Sequence, residues 1–542
     1  MRGNSLKAVV ATAAVALIAA GCTSTPDAET PSDTGGELRI FASEPASLFP
    51  PMADDNPSIV IIRQLYKGLV EYDAKGAPVN VIADSITSTD NKVWTIKLKS
   101  GFKFTNDEAV TADSFIDSWN FTAYGPNAAT NSYFLSGIAG YDELQSTDPD
   151  GDGPKTAPEP AAKTLSGLKK IDDLSFEVTL KKAFSGFPAQ VGYSGYFPVA
   201  KACLADVKGC TEKPISNGPY KIEGSWEHNV QVKLSRNDGW TASKGKADTL
   251  TFKIYDKQDT GYADFKAGEL DIFEAVPSAE VKAAKAAYGD RFFQKPSNNF
   301  TYVGIPLNDP RFQNKQIRQA LSLAIDRQAI IDAVFDGRFS AAQGVVSPNF
   351  LGYRDGACPN CKYDPVKAKQ ILDAAGGWKG GKITLWANAG AGHEKWMQAV
   401  GDGWKKDLGI DYELNTTLQF PEYLAKGDAH KFDGPFRLGW GPDYPWFETY
   451  LAPLYGTGGS SNASGYTNPA FDALVEQGNG AKTQDEGVKF YQQAEDIIVD
   501  DLPVIPMWFG MTTDVYSENV KTFVFNPISG VEYDKVVLNP AK

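Results

Sequence analysis

The sequence has 542 residues, enough for three to four domains at about 150 residues each, and its 42% apolar, 22% charged composition is that of a globular chain. Lys and Arg total 53 against 67 Asp and Glu, a formal charge of −14 that repels phosphate backbones and so argues against nucleic acid as a partner. Three scattered histidines (His228, His393 and His430) are too few for a histidine-rich metal site.

At the N-terminus, Arg2 and Lys7 precede an apolar run from Ala8 to Ala20. That run is too short for a bilayer core, which takes about 20 residues, but it suits a signal peptide. It ends in Leu17-Ile18-Ala19-Ala20-Gly21-Cys22, which resembles a bacterial lipobox, with Ala19 where such signals usually carry Leu. The resemblance implies a lipoprotein signal peptide over 1–21, cleaved before Cys22, whose thiol then carries a diacylglycerol. An ordinary secretory peptide with an incidental cysteine is the alternative. Two acyl chains anchor stably where one is marginal. Residues 22–36 read as the lipidated cysteine and a flexible tether, because Thr, Ser, Pro, Asp and Gly dominate without apolar periodicity. No later segment approaches a membrane span, so the expected place is the extracytoplasmic face of a bacterial cell membrane.

Beyond Leu38 strands and helices alternate. Trp94, Ile96 and Leu98 alternate with polar residues, as do Phe176, Val178 and Leu180, and both runs read as half-buried strands. Between them, Asp148, Asp150 and Asp152 with Gly153 and Glu159 match the spacing of a calcium loop. Lys155 occupies a position usually apolar, and Pro154, Pro158 and Pro160 forbid the usual exiting helix, so a solvated acidic loop is the preferred reading. Ile317, Leu321, Ala324, Ile331 and Val334 mark one helix face ending at Gly337. A second helix begins at Asp364, its cap, with Pro365 at the first helical position, and stops at Gly376. The fold class is α/β, in several lobes.

Four further cysteines, an even number outside the cell, suggest two disulfides. Cys203 with Cys210 and Cys358 with Cys361 are the preferred pairs because each brackets a short loop. Cys358-Pro-Asn-Cys361 also has the form of half a zinc site or a redox motif, although no second such motif and no nearby histidine supports either. Nucleophile elbows, HExxH, Walker A and dinucleotide fingerprints are absent. No cofactor and no catalytic residue is expected. An unrecognised secreted hydrolase remains a formal alternative, since 67 acidic residues allow many carboxylate pairings.

Several segments in order resemble the substrate-binding lipoproteins of ABC importers, specifically the dipeptide/oligopeptide-binding class (solute-binding protein family 5). They are Phe104-Thr105-Asn106 with Val110 to Phe115, Asn217-Gly218-Pro219-Tyr220, Gly268-Glu269-Leu270-Asp271, Ile317-Arg318 through Asp326-Arg327, Trp440 to Pro445, and Asn468-Pro469 to Asp472. Each fragment is weak alone; the ordered series from Leu38 to Tyr516 carries the resemblance. It implies a two-lobed periplasmic-binding-protein-like clamp with an extra domain inserted in the N-terminal lobe. Lobe I would comprise 37–66, 196–298 and 511–542, the inserted domain II 67–195, and lobe III 299–510. Crossings near Asn299–Tyr302 and Trp508–Met511 would form the hinge, and closure over a ligand would be read by permease subunits in the membrane.

The resemblance also places candidate site residues. Asp443 matches the family's aspartate for a peptide's α-ammonium, with Trp440 as an aromatic wall and Gly439 and Gly441 allowing close backbone approach. A turn cap, ordinary core and plain turns are the respective alternatives. Arg437 matches an arginine that meets the ligand's carboxylate in some relatives, or else it makes a salt bridge. Asp54, Asp55 and Asn56 align loosely with a pocket-lining loop, a solvated loop being the alternative, and Trp508 and Phe509 fall where hinge and pocket aromatics lie, with core packing as the alternative. Tyr133, Trp386, Trp396 and Trp404 default to core. The expected function is capture of extended oligopeptides, by a monomer, for delivery to the permease. Oligosaccharides stacked on some of the 11 tryptophans are the rival ligand, and a peptide-sensing signalling lipoprotein is the rival role. Nickel chelates are disfavoured by the scarcity of histidine.

Overall fold

A computed structural model describes residues 35–146, 159–390 and 392–540. The leader 1–21, Cys22 with most of its tether, and Asp148, Asp150 and Asp152 lie outside the described residues. Glu159 is described, and its carboxylate accepts the Tyr124 hydroxyl at 2.8 Å.

Two long antiparallel strands, Phe292–Gly304 and Val504–Tyr516, run through the middle of an eleven-stranded sheet. At one end, Val515 and Tyr516 pair with Ile272–Phe273, and the sheet continues through Glu37–Ala42, Thr249–Ile254, Gln231–Arg236 and Tyr220–Ile222. At the other end, Phe300 to Gly304 pair with Phe436–Trp440, and the sheet continues through Ile383–Trp386 to Tyr412–Asn415. The two ends are the sheets of the two lobes, and only these strands belong to both. Their ladder is broken between Pro296 and Phe300. There Ser297, Asn298 and Asn299 bulge past Gly510, where an added Cβ would fall 2.5 Å from the Ser297 Oγ.

A separate four-stranded antiparallel sheet takes the order Ala83–Ser88, Val93–Leu98, Ser175–Thr179, Leu168–Asp172. Trp94 stands opposite Val178 and Ile96 opposite Phe176, so the two alternating patterns face one core, as their spacing predicts. The helix Ala112–Ala123 lays Phe115 and Trp119 on Phe176, with ring centroids 5.9 and 5.7 Å away. Each such buried ring contributes roughly 1.5–3 kcal/mol. The core of this unit also takes in Phe49 and Trp240 from the first lobe, so the unit is packed onto its host.

The single helix expected from Ile317 to Gly337 is two, Lys315–Leu323 and Arg327–Phe335. Asp326 ends the continuity because its carboxylate accepts the Ala329 N–H and caps a new helix. Periodicity carried across the break because both helices face the same core. Asp364 caps Pro365–Ala374 through the Lys367 N–H at 2.9 Å, and Gly376 has φ +93°. Cys203 is bonded to Cys210 and Cys358 to Cys361. Among the described residues no helix is long and apolar enough to cross a membrane.

Candidate functional site

The cleft beside the bulge is built from both lobes. An outer compartment of about 1110 Å³ is lined by Asn56, Val60 and Glu274 of the first lobe, Ser297 to Asn299 of the bulge, and Pro442 and Asp443 of the second. An inner compartment of about 990 Å³ shares Asn56, Val60, Glu274, Ser297, Asn299 and Thr512 with it and reaches back to Phe41, Phe252 and Asp514. Tyr193 of the inserted unit closes one side of the outer compartment.

Asp443 follows the strand Phe436–Trp440, which delivers it to the cleft from the hinge. Its carboxylate has no hydrogen-bond or ion-pair partner among the described residues, so it caps no turn. Burial, and secondarily the charge of Asp54, raise it to about 6. Tyr193 is pushed up, chiefly by burial and then by the charge of Asp443, with Asp54 contributing, and the same two charges bear on Tyr133. The two acids and two phenols therefore form one neighbourhood. Phe134 lies between the two tyrosine rings, 4.1 Å from each. Tyr133 is 52% exposed, so it is no core residue as its aromatic character suggested. A desolvated, unpaired carboxylate flanked by a second acid and aromatic rings has the chemistry that suits a cation.

Arg437 makes the complementary case. Its side chain has no hydrogen-bond or ion-pair partner among the described residues, and its Nε is buried. Burial lowers it, with Tyr423 and Tyr302 as its electrostatic neighbours. The salt bridge considered as its alternative role is not formed. Burial and the Arg437 charge depress His393 to about 4, so this imidazole is neutral at pH 7. Trp396 Nε1 donates to His393 Nδ1 at 3.2 Å, which assigns the ring proton to Nε2. The Trp440 Nε1 is buried without a partner as well. The neutral His393 imidazole lies within the electrostatic reach of Arg437.

Other candidates have structural work. Asp55 caps the helix Asn56–Leu65, accepting the Ser58 N–H at 3.0 Å and the Ser58 hydroxyl, whereas Asp54 is exposed and Asn56 lines the cleft. A Cβ on Gly439 would stand 3.2 Å from the Phe300 carbonyl, and one on Gly441 3.0 Å from Asn299 Oδ1. Both glycines let the second lobe lie against the hinge strand. Trp508 and Phe509 are each 1% exposed, so the core alternative holds for both and not the pocket role. Trp508 packs on Phe335 and Trp396, and Phe509 on Phe300. A central strand covered on both faces buries successive residues, so neither ring reaches the cleft. Trp396 and Trp404 are core as expected; Trp386 is nearly buried, with the Lys426 ammonium 4.6 Å from its ring centroid.

The model of bacterial extracellular solute-binding proteins, family 5, matches residues 77–462. The chain belongs to this family. It is similar to the oligopeptide-binding protein OppA of Bacillus subtilis (strain 168), 28% identical over 516 residues covering 91% of this chain and 90% of the relative. It is similar also to the periplasmic murein peptide-binding protein MppA of Escherichia coli (strain K12), 27% identical over 509 residues covering 92% of each. The unliganded open form of the murein tripeptide-binding protein MppA superposes with a TM-score of 0.81 at 25% identity, over 93% of this chain and 97% of that one.

Several family-like motifs of this solute-binding protein prove to hold the fold, not the ligand. Arg327 is 3% exposed and donates to the carbonyls of Pro506, Ser322, Ile325 and Cys361. Arg318 ties Phe312, Gln313 and Asp501 in the same way. Asn217 bonds the Lys67 backbone, and Asp271 receives Arg39 through two side-chain bonds of 2.9 Å. Tyr133, Tyr193, Glu274 and His393 carried no sequence signal as site residues. Glu274, three positions after the Asp271 motif, was the most accessible to inspection.

Proposed function

We propose that this chain captures extended oligopeptides between its lobes and delivers them to the permease of an ABC importer, performing no chemistry itself. Relatives named as oligopeptide- and murein peptide-binding proteins support the ligand class. The observation that carries it is Asp443: a largely buried carboxylate facing the cleft with no partner of its own, beside Asp54 and two tyrosines. A peptide's α-ammonium supplies the missing charge, and Arg437, likewise unpartnered, suits its carboxylate. A neutral sugar would leave both charges desolvated and unmatched. Peptide backbone between these ends can be held as an added strand, which gives affinity with little side-chain demand.

Lobe I is assigned to 37–66, 196–298 and 511–542, the inserted domain to 67–195 and lobe III to 299–510, with the hinge at the bulge of Ser297 to Asn299 opposite Gly510. Closure about it brings Asp54 and Asn56 onto a ligand held by Asp443. Cys22 carries the lipid anchor, which keeps a monomeric receptor at the outer face of the membrane near its permease.

Native mass spectrometry of the soluble form, residues 23–542, before and after mild unfolding tests the reading. Release of peptide masses, or saturable gain of added peptides, is the expected result. Hexose-spaced masses with indifference to peptides would transfer the function to oligosaccharides.

A further inference from the structure

The first-lobe wall of the cleft holds two more carboxylates that the α-ammonium and carboxylate contacts do not use. Glu274 follows the short strand Ile272–Phe273 and lines both compartments. Asp514, on the strand Val504–Tyr516, lines the inner compartment and is 2% exposed. Asp514 Oδ1 accepts the Ala275 N–H at 3.1 Å, while Oδ2 is buried with no hydrogen-bond partner. Glu274 accepts the Tyr533 hydroxyl. Burial raises both acids, the charge of Asp514 raises Glu274 further, and no lysine or arginine charge bears on either.

A desolvated acid pair with an idle oxygen is costly to the free protein, which retains a proton there until an arriving cation displaces it. A hard dication suits it poorly, since calcium takes 6–8 oxygens. Among the described residues no group of three or more His, Cys, Asp or Glu could hold a metal. An ammonium or guanidinium on a flexible stem suits it well. Two carboxylates and a phenol give it acceptors, and Phe41, Val60 and Phe252 of the inner compartment give its methylenes apolar cover.

We propose that Glu274 and Asp514 form a side-chain subsite that favours ligands carrying lysine or arginine at one position. This rests on the peptide reading: Asp443 holds the α-ammonium, and the acid pair takes the side-chain cation of one residue of the same ligand.

Calorimetric titration of residues 23–542 with tri- and tetra-alanine peptides, carrying lysine, norleucine or glutamate at each position in turn, tests it. At one position lysine binds at least about tenfold tighter than norleucine, and glutamate binds weakest. Glu274→Gln and Asp514→Asn each shrink that preference to within about twofold. Equal affinity for lysine and norleucine at every position in the wild type would overturn the subsite, as would a lysine preference surviving both variants. The wild-type comparison needs no variant, so it decides even if one substitution impairs folding. Failure of every peptide to bind the wild type would remove the peptide reading itself, and the subsite with it.

Discussion

Asp54 bears electrostatically on Asp443: after burial, the charge of Asp54 is what raises Asp443. In the proposed lobe assignment, these like charges would oppose closure of the empty clamp. In the proposed function, a ligand ammonium between them would reverse that sign and couple occupancy to closure.

Asp443→Asn removes the counter-charge but keeps the shape. Peptide affinity falls by about 3–5 kcal/mol, because the ammonium stays desolvated and unpaired. Calorimetry on the variant reads this directly, and an unchanged affinity would take Asp443 out of the site.

The same acid gives the free protein a pH dependence. Between the ordinary value of 3.8 and about 6 the folded state holds more protons at Asp443 than the unfolded state. The Asp443 contribution therefore lowers stability as pH rises through this window, by on the order of 1–3 kcal/mol. Chemical denaturation at pH 4 and pH 7 shows a smaller decline in Asp443→Asn than in the wild type; identical declines would contradict the assignment.

Binding follows the opposite course. A peptide ammonium needs Asp443 ionised, so affinity climbs from pH 5 to pH 7 as this carboxyl loses its proton at about 6. It falls again near pH 8, where the α-amino group itself deprotonates at about 7.7–8.0. A flat profile from pH 5 to 7 would mean that Asp443 does not meet the ligand.

Trp508→Ala separates core from site. The indole is 1% exposed between Phe335 and Trp396, so its loss destabilises the fold by about 3–5 kcal/mol. Peptide affinity of the folded fraction stays within about twofold of wild type, since no ligand contact is removed. A large loss of affinity in protein that melts normally would restore Trp508 to the cleft.

Arg327→Lys tests a motif residue as scaffold. One ammonium cannot reach the carbonyls of Pro506, Ser322, Ile325 and Cys361 together. Thermal unfolding is expected to report a loss of about 2–4 kcal/mol, with peptide binding retained below the new midpoint.

Local patterns were the legible part of the fold. Trp94 with Val178 shows why: alternation on two strands facing one core survives translation into structure almost unchanged. Asp326 shows the limit, because a cap within a continuous apolar face breaks a helix that periodicity alone joins. The cleft was legible only through motif likeness, which led to Asp443 but also to Trp508, whose neighbours on both faces of a central strand no local pattern encodes. Tyr193 and Glu274 reach the cleft from segments far apart in the chain, and only the packing of the inserted unit and the hinge bulge brings them together.

The most direct measurement compares one peptide with a free and with an acetylated N-terminus, titrated into residues 23–542 at pH 7. Because the cleft's unpaired acid is matched only by a cation, the free-amine form is expected to bind at least about a hundredfold tighter. That gap should largely close in Asp443→Asn. Equal binding of the two forms by the wild type would contradict the assignment of Asp443 as the receptor for the α-ammonium.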